Sequence, residues 1–162
     1  MLHAKQFSDI FHDTLTMLDK SFLSDISERT STMLGAKPVT FVDLNLILPN
    51  EEVYDYRVDW LANKIEMEKL WRVPVTIDRD SFAIMDGHHR RAAAQRLNLK
   101  RIPCILLDYS EVELISTHSS MLVTPKVIKD FAKNRKFFPP KSTKHIFKSP
   151  LPTCNISLEL LK

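Results

Sequence analysis

Glycine is scarce in this chain: 162 residues hold two, Gly35 and Gly87. A position that keeps one therefore asks for a reason. Cysteine is equally scarce, with only Cys104 and Cys154. No CxxC pair and no Cys/His spacing of the zinc type occurs, which excludes a cysteine-built zinc site and fits a reducing compartment. Cys104 lies in an apolar run and is expected to behave as a small buried hydrophobe. No apolar run approaches the ~18 residues of a membrane span, and no charged-then-apolar leader opens the chain. The expectation is a cytoplasmic protein with no membrane partner. Internal repeats and low-complexity segments are absent. The net charge is only +3, so the chain as a whole does not announce a polyanion binder.

What is present is an ordinary globular composition, 44% hydrophobic and 27% charged, long enough for one domain with a core. The charge is uneven. Residues 126–148 carry eight Lys/Arg against one acid, Asp130, and the remainder is net acidic. A basic segment near the C-terminus suits an anionic ligand, small or polymeric.

Periodicity organises the chain. Phe7, Ile10, Phe11, Leu15, Leu18, Phe22, Leu23 and Ile26 predict an amphipathic helix within residues 3–33, ended by Gly35 and Pro38. The alternating "VTFVDLNLIL" predicts a strand over 39–48. Val58, Leu61, Ile65, Met67 and Leu70 predict a helix over 56–71, with Trp60 and Trp71 as core residues. "VPVTIDRDSFAIM" reads as two strands about an Asp78-Arg79-Asp80 turn. A helix from His88, strands over 102–109 and 111–117, and a helix from Pro125 to about Asn134 follow. Thr124 is placed as N-cap and Pro125 at the first helical position. The end, "FFPPKSTKHIF", reads as a loop and a short extended segment. The organisation expected is an N-terminal helical extension, 1–36, and an α/β core, 37–162.

The stretch "FAIMDGHHRRAAAQRL" answers the question of the glycine. Gly87 sits between a strand and a helix, where it permits positive φ or close approach of a ligand. The first N–H groups of the new helix lack intrahelical partners and favour an anion. His88, His89 and Arg90 add donors there. Asp86 beside an anion site makes sense as a Mg²⁺ carboxylate or as an acceptor for a substrate donor. The plain alternative is an Asp-Gly turn with solvated arginines. A zinc pair is disfavoured, because adjacent helical residues point about 100° apart.

"DGHHRRAAAQRL" resembles the strand-turn-helix signature of the ParB/sulfiredoxin-like superfamily, and its Asp-Gly-His-His-Arg form is similar to that of the free L-serine kinases. His88 stands where sulfiredoxin has its cysteine, which disfavours that chemistry. "LILPNEEVYDYRVDWL" and "FPPKSTKHIF" resemble two further elements of the serine kinases, in the same order along the chain. The resemblance implies a small mixed sheet with flanking helices. It implies a nucleotide-dependent kinase that phosphorylates the hydroxyl of free L-serine or a similar acceptor, using Mg²⁺ and ATP or ADP. Glu51 is then the general base and Asp86 the acid near the transferred phosphate and its metal. Gly87, His88, His89 and Arg90 contact nucleotide and phosphate, and Lys141, Ser142, Thr143, Lys144 and His145 close over the phosphates. Lys144 replaces an arginine of some members, keeping the charge but losing the bidentate fork. The alternative implied by the superfamily is a nucleotide-switched DNA-binding or regulatory protein without kinase activity. It would use 126–148 against a phosphate backbone, or dimerise through the N-terminal helix. No helix-turn-helix segment follows the core.

Overall fold

The computed structural model describes residues 37–162; the helix expected within 3–33, the extension it forms and a dimer through it lie outside the described residues. The organising element is a four-stranded sheet in the order β1-β5-β3-β4. It contains β1 (Thr40–Asp43), β3 (Val75–Asp78), β4 (Ile84–Asp86) and β5 (Arg101–Leu107). β3 and β5 run parallel at the centre, while β1 and β4 are antiparallel edges. Both central strands read as apolar runs because both faces are covered. Along β5, Ile102 and Cys104 face one core and Ile105 and Leu107 face another, the period-2 alternation of a strand. Cys104 is fully buried, as expected.

α1 (Asp55–Glu68) and α2 (His88–Arg96) cover the first face. Val58, Ala62 and Ile65 of α1 and Ala93 and Ala94 of α2 pack with Val75, Ile77 and Ile84 there. Alanine at both α2 core positions keeps that helix close to the sheet. α3 (Pro125–Lys133) contributes Ile128 and Ala132 to a separate cluster with Ala83 and Phe138. The Thr124 hydroxyl accepts from the Val127 N–H at 3.3 Å with Pro125 at the first helical position, as the sequence predicted. Two ribbons complete the unit. β2 (Leu70–Trp71) pairs with β8 (Ile156–Ser157), and β6 (Val112–Ser116) with β7 (Thr143–Phe147). Among the described residues no helix is long and apolar enough to cross a membrane.

Three expectations are corrected. The strand expected over 39–48 ends at Asp43, and Leu44–Leu46 form a 3₁₀ turn. The Leu44 N–H is taken by the Lys100 carbonyl at 2.8 Å, and Leu48 crosses over to bridge Ala83. The alternating pattern still works because Leu44 and Ile47 are buried by the turn itself. The helix expected to reach residue 71 stops at Glu68. Lys69 adopts the left-handed region at φ 55°, and Leu70 and Trp71 turn into β2. Trp60 is 60% exposed and carries the Lys64 ammonium over its ring, whereas Trp71 is buried as expected. Helical spacing placed Trp60 within α1 but could not say that, among the described residues, no element packs on this side of the helix.

Candidate active site

β4 is an edge strand whose last residue, Asp86, delivers the chain to the start of α2. Gly87 makes the corner with φ +110°. A Cβ there would come within 3.0 Å of Val75 Cγ2 and 3.2 Å of the Arg90 guanidinium carbon. The residue is glycine for both reasons: the backbone is in a region L side chains rarely adopt, and there is no room.

His88 and His89 are both buried, and neither serves as a free cation. His88 Nε2 accepts the Asn50 N–H at 3.3 Å and His89 Nε2 accepts the Tyr54 N–H at 3.1 Å. The second of these bonds satisfies an otherwise unpartnered donor at the N-cap of α1. A ring nitrogen that accepts must be unprotonated, so each neutral ring carries its proton on Nδ1. Burial pushes the His88 imidazole down to about 3, with the nearby charges of His145, His89, Lys141 and Arg91 acting in the same direction. Burial, then Lys141 and Arg57, lowers His89 as well.

Arg90 turns away from the helix axis. Its guanidinium pairs with Asp86 Oδ2 at 2.5 Å, bonds the Val73 carbonyl at 3.1 Å and also donates to the Pro74 carbonyl. Arg90 therefore fastens the turn to the segment before β3. Asp86 keeps Oδ1 without a hydrogen-bond donor among the described residues, and its side chain is 54% exposed.

Glu51 arrives from the segment after the first turn. It is 6% exposed, and its carboxylate gathers the C-terminal element. Oε1 accepts the Lys141 N–H at 2.8 Å, and Oε2 accepts the Thr143 N–H at 3.2 Å and its hydroxyl at 3.1 Å. A parallel bridge to Phe138 holds the backbone alongside. Ionised carboxylate oxygens offer about four acceptor sites; three are used, and the one left belongs to Oε1.

These segments enclose a cavity of about 410 Å³. Glu51, Asp86, Gly87, His88, His89, Arg90, Lys141 and Thr143 of the expected set all line it. Three expected residues stand elsewhere. Ser142 is fully buried and donates to the Pro139 carbonyl at 2.7 Å, closing the turn that presents its neighbours. Lys144 projects from the exposed face of β7, opposite to Thr143 and His145, as the alternation of a strand requires. His145 lies behind the site, 3.3 Å from the Tyr109 hydroxyl. Burial pushes it down to about 4 against the opposing pull of Asp86 and the Met85 carbonyl.

The sequence reading missed Arg57, Leu61, Val73 and Met85 in the lining. Arg57 matters most, because with Arg90 committed to the turn it joins Lys141 as a cation without a carboxylate partner among the described residues. The only signal for it was its place one turn into a helix beside the Glu51 segment. The basic segment 126–148 is divided among several environments. Lys129 pairs with buried Asp78 at 3.1 Å, Lys148 donates to the Ser110 carbonyl, and Lys141 faces the cavity.

No protein-family model matches the chain. An ATP-dependent L-serine kinase of Staphylothermus marinus is 35% identical over 84 residues, 48% of this chain and 33% of that protein. A ParB-like protein of Sulfolobus acidocaldarius is 36% identical over 59 residues, 36% of this chain and 30% of that protein. The chain thus spans about a third of the length of the curated relatives it matches. Among solved structures, a free serine kinase in complex with AMP superposes with a TM-score of 0.71 at 14% identity, covering 78% of this chain and 94% of that one. The sequence relatives are an L-serine kinase and a ParB-like protein, each matched over part of its length, and the solved free serine kinase shares the fold of this chain.

Proposed function

We propose that the protein is a nucleotide-dependent kinase that transfers a phosphoryl group from ATP or ADP to the hydroxyl of free L-serine or a similar small acceptor. The observation that carries this reading is Glu51: a buried carboxylate, oriented by three donors, facing the same cavity as the Asp86–Arg90 turn. A base fixed in this way needs no reorganisation before it accepts a proton. The acceptor Oγ–H bond breaks and its proton passes to the Oε1 lone pair. A bond forms from Oγ to the terminal phosphorus. The bond from that phosphorus to the leaving nucleotide breaks, and the electron pair departs with the nucleotide.

Phosphoryl transfer depends on positioning and charge rather than covalent catalysis. The first N–H groups of α2, the Nδ1–H donors of His88 and His89, and the Lys141 and Arg57 cations are the groups offered to the phosphates. Neutral histidines fit here, since they donate without adding charge that must be neutralised. Asp86 is the residue to hold Mg²⁺. Among the described residues no cluster of three or more His, Cys, Asp or Glu exists to cage a metal. A single carboxylate with a free oxygen fits a cation held mainly by substrate phosphates and water. When bound, the ion neutralises the phosphate oxygens. Ser142 acts through the turn it closes, and Lys144 and His145 act on the surface and behind the site.

The test is incubation of the full chain with Mg²⁺, L-serine and either nucleotide, with O-phosphoserine followed by ³¹P NMR. Product is expected from wild type with at least one nucleotide, and loss of general-base catalysis in Glu51→Gln should slow it by roughly 10²–10⁴-fold. Absence of product with both nucleotides, or a Glu51→Gln variant as fast as wild type, would refute the assignment.

A further inference from the structure

Arg91 is adjacent to the site but absent from its lining, and its environment is otherwise unexplained. It follows Arg90 on α2, so its side chain projects about 100° away, towards the opposite side of the Glu51–His88 wall. There it lines a second cavity, also of about 410 Å³, whose lining again includes Glu51 and His88. One guanidinium nitrogen donates to the Gln95 amide oxygen at 2.8 Å. The Nε is buried with no hydrogen-bond partner, and no carboxylate of the described residues lies within ion-pair distance of the group. A partly desolvated guanidinium without a counter-charge is costly, and an anion at that place removes the cost. Burial lowers the affinity of Arg91 for its own proton, in keeping with that environment.

The rest of the lining narrows the ligand. Glu52 stands in the same cavity, exposed and without an ion pair among the described residues. Val53, Ala92 and Phe137 supply an apolar wall, and Phe137 is 46% exposed. A simple anion would satisfy Arg91 and be opposed by Glu52, while a simple cation would do the reverse. A zwitterion matches both. We propose that this second cavity binds a small aliphatic amino acid, with its carboxylate on Arg91, its ammonium on Glu52 and its side chain against Val53, Ala92 and Phe137. The site is separate from the phosphoryl-transfer cavity and shares a wall with it, and it does not depend on the kinase reading.

The test is a titration of the ¹⁵N-labelled full chain with L-valine, which has no hydroxyl to be phosphorylated. Isovalerate, which lacks the ammonium, and isobutylamine, which lacks the carboxylate, serve as comparators. Saturable shifts are expected at the amides of Val53, Ala92, Gln95 and Phe137. Arg91→Met should weaken binding roughly tenfold or more, and both comparators should bind more weakly than valine. Glu52→Gln, an exposed position that leaves the core intact, should remove the preference for valine over isovalerate. Shifts that do not saturate, shifts confined to Gly87 and Thr143, or isovalerate binding as tightly as valine would each overturn the proposal.

Discussion

Replacement of Gly87 by alanine tests the turn on which the site depends. Two costs add. An L-residue at φ +110° lies outside the allowed regions, at about 1–3 kcal/mol. The new methyl meets Val75 Cγ2 at 3.0 Å and the Arg90 guanidinium at 3.2 Å. Arg90 cannot swing aside freely, because Asp86 and two carbonyls hold it, so overpacking contributes about another 1–2 kcal/mol. The expected loss of stability is about 2–5 kcal/mol by urea unfolding, with an unchanged m-value. A double-mutant cycle separates the two costs. In an Arg90→Ala background the guanidinium contact is gone, and Gly87→Ala should cost about 1 kcal/mol less. A loss below about 0.5 kcal/mol in the wild-type background, within the range of neutral surface changes, would refute both the strain and the packing argument.

Three further outcomes follow from the same geometry. His88 and His145 have folded-state values near 3 and 4, below the ordinary 6.5. Above pH 6.5 neither state binds their protons; below it the unfolded chain takes them up first, so stability falls as pH drops from 6.5 towards 4. The fall should reach about 2 kcal/mol per histidine by pH 5, and His145→Gln should flatten it; a slope unchanged in that variant would count against buried neutral imidazoles. Asp78 is 1% exposed and bonds Ser81 Oγ at 2.6 Å and Lys129 at 3.1 Å. Asp78→Ala should destabilise by about 1–3 kcal/mol in urea titration by leaving those donors unmet. Thr124→Ala should cost about 1 kcal/mol through loss of the α3 cap, while Thr124→Ser should retain most of it.

How much of this was legible beforehand depended on range. α3 was read correctly because its cap and Pro125 are local signals within one turn of chain. The 39–48 strand was misread because alternation is equally satisfied by a short strand followed by a turn that buries Leu44 and Ile47. Lys100, which accepts the Leu44 N–H, is distant in sequence. The site residues resembled a known pattern in three separate islands, and that order alone brought Glu51, Asp86, His88 and Thr143 into one expectation.

The sequence by itself determined the strand-turn-helix unit, since a lone glycine between an apolar strand and an alanine-rich helix permits few other backbones. It also determined which chemistry-bearing residues were available. Only the tertiary structure decided how they are used. Arg90 became a fastener of the turn rather than a free cation, Arg57 took a place in the cavity, and His88 and His89 became neutral acceptors for backbone donors. Ser142 and Lys144 were turned away from Thr143 by one-residue steps. The two histidines take donors 38 and 35 residues away in sequence and Arg90 takes carbonyl acceptors 17 and 16 residues away, and local pattern carries no information about which buried donor will meet which acceptor.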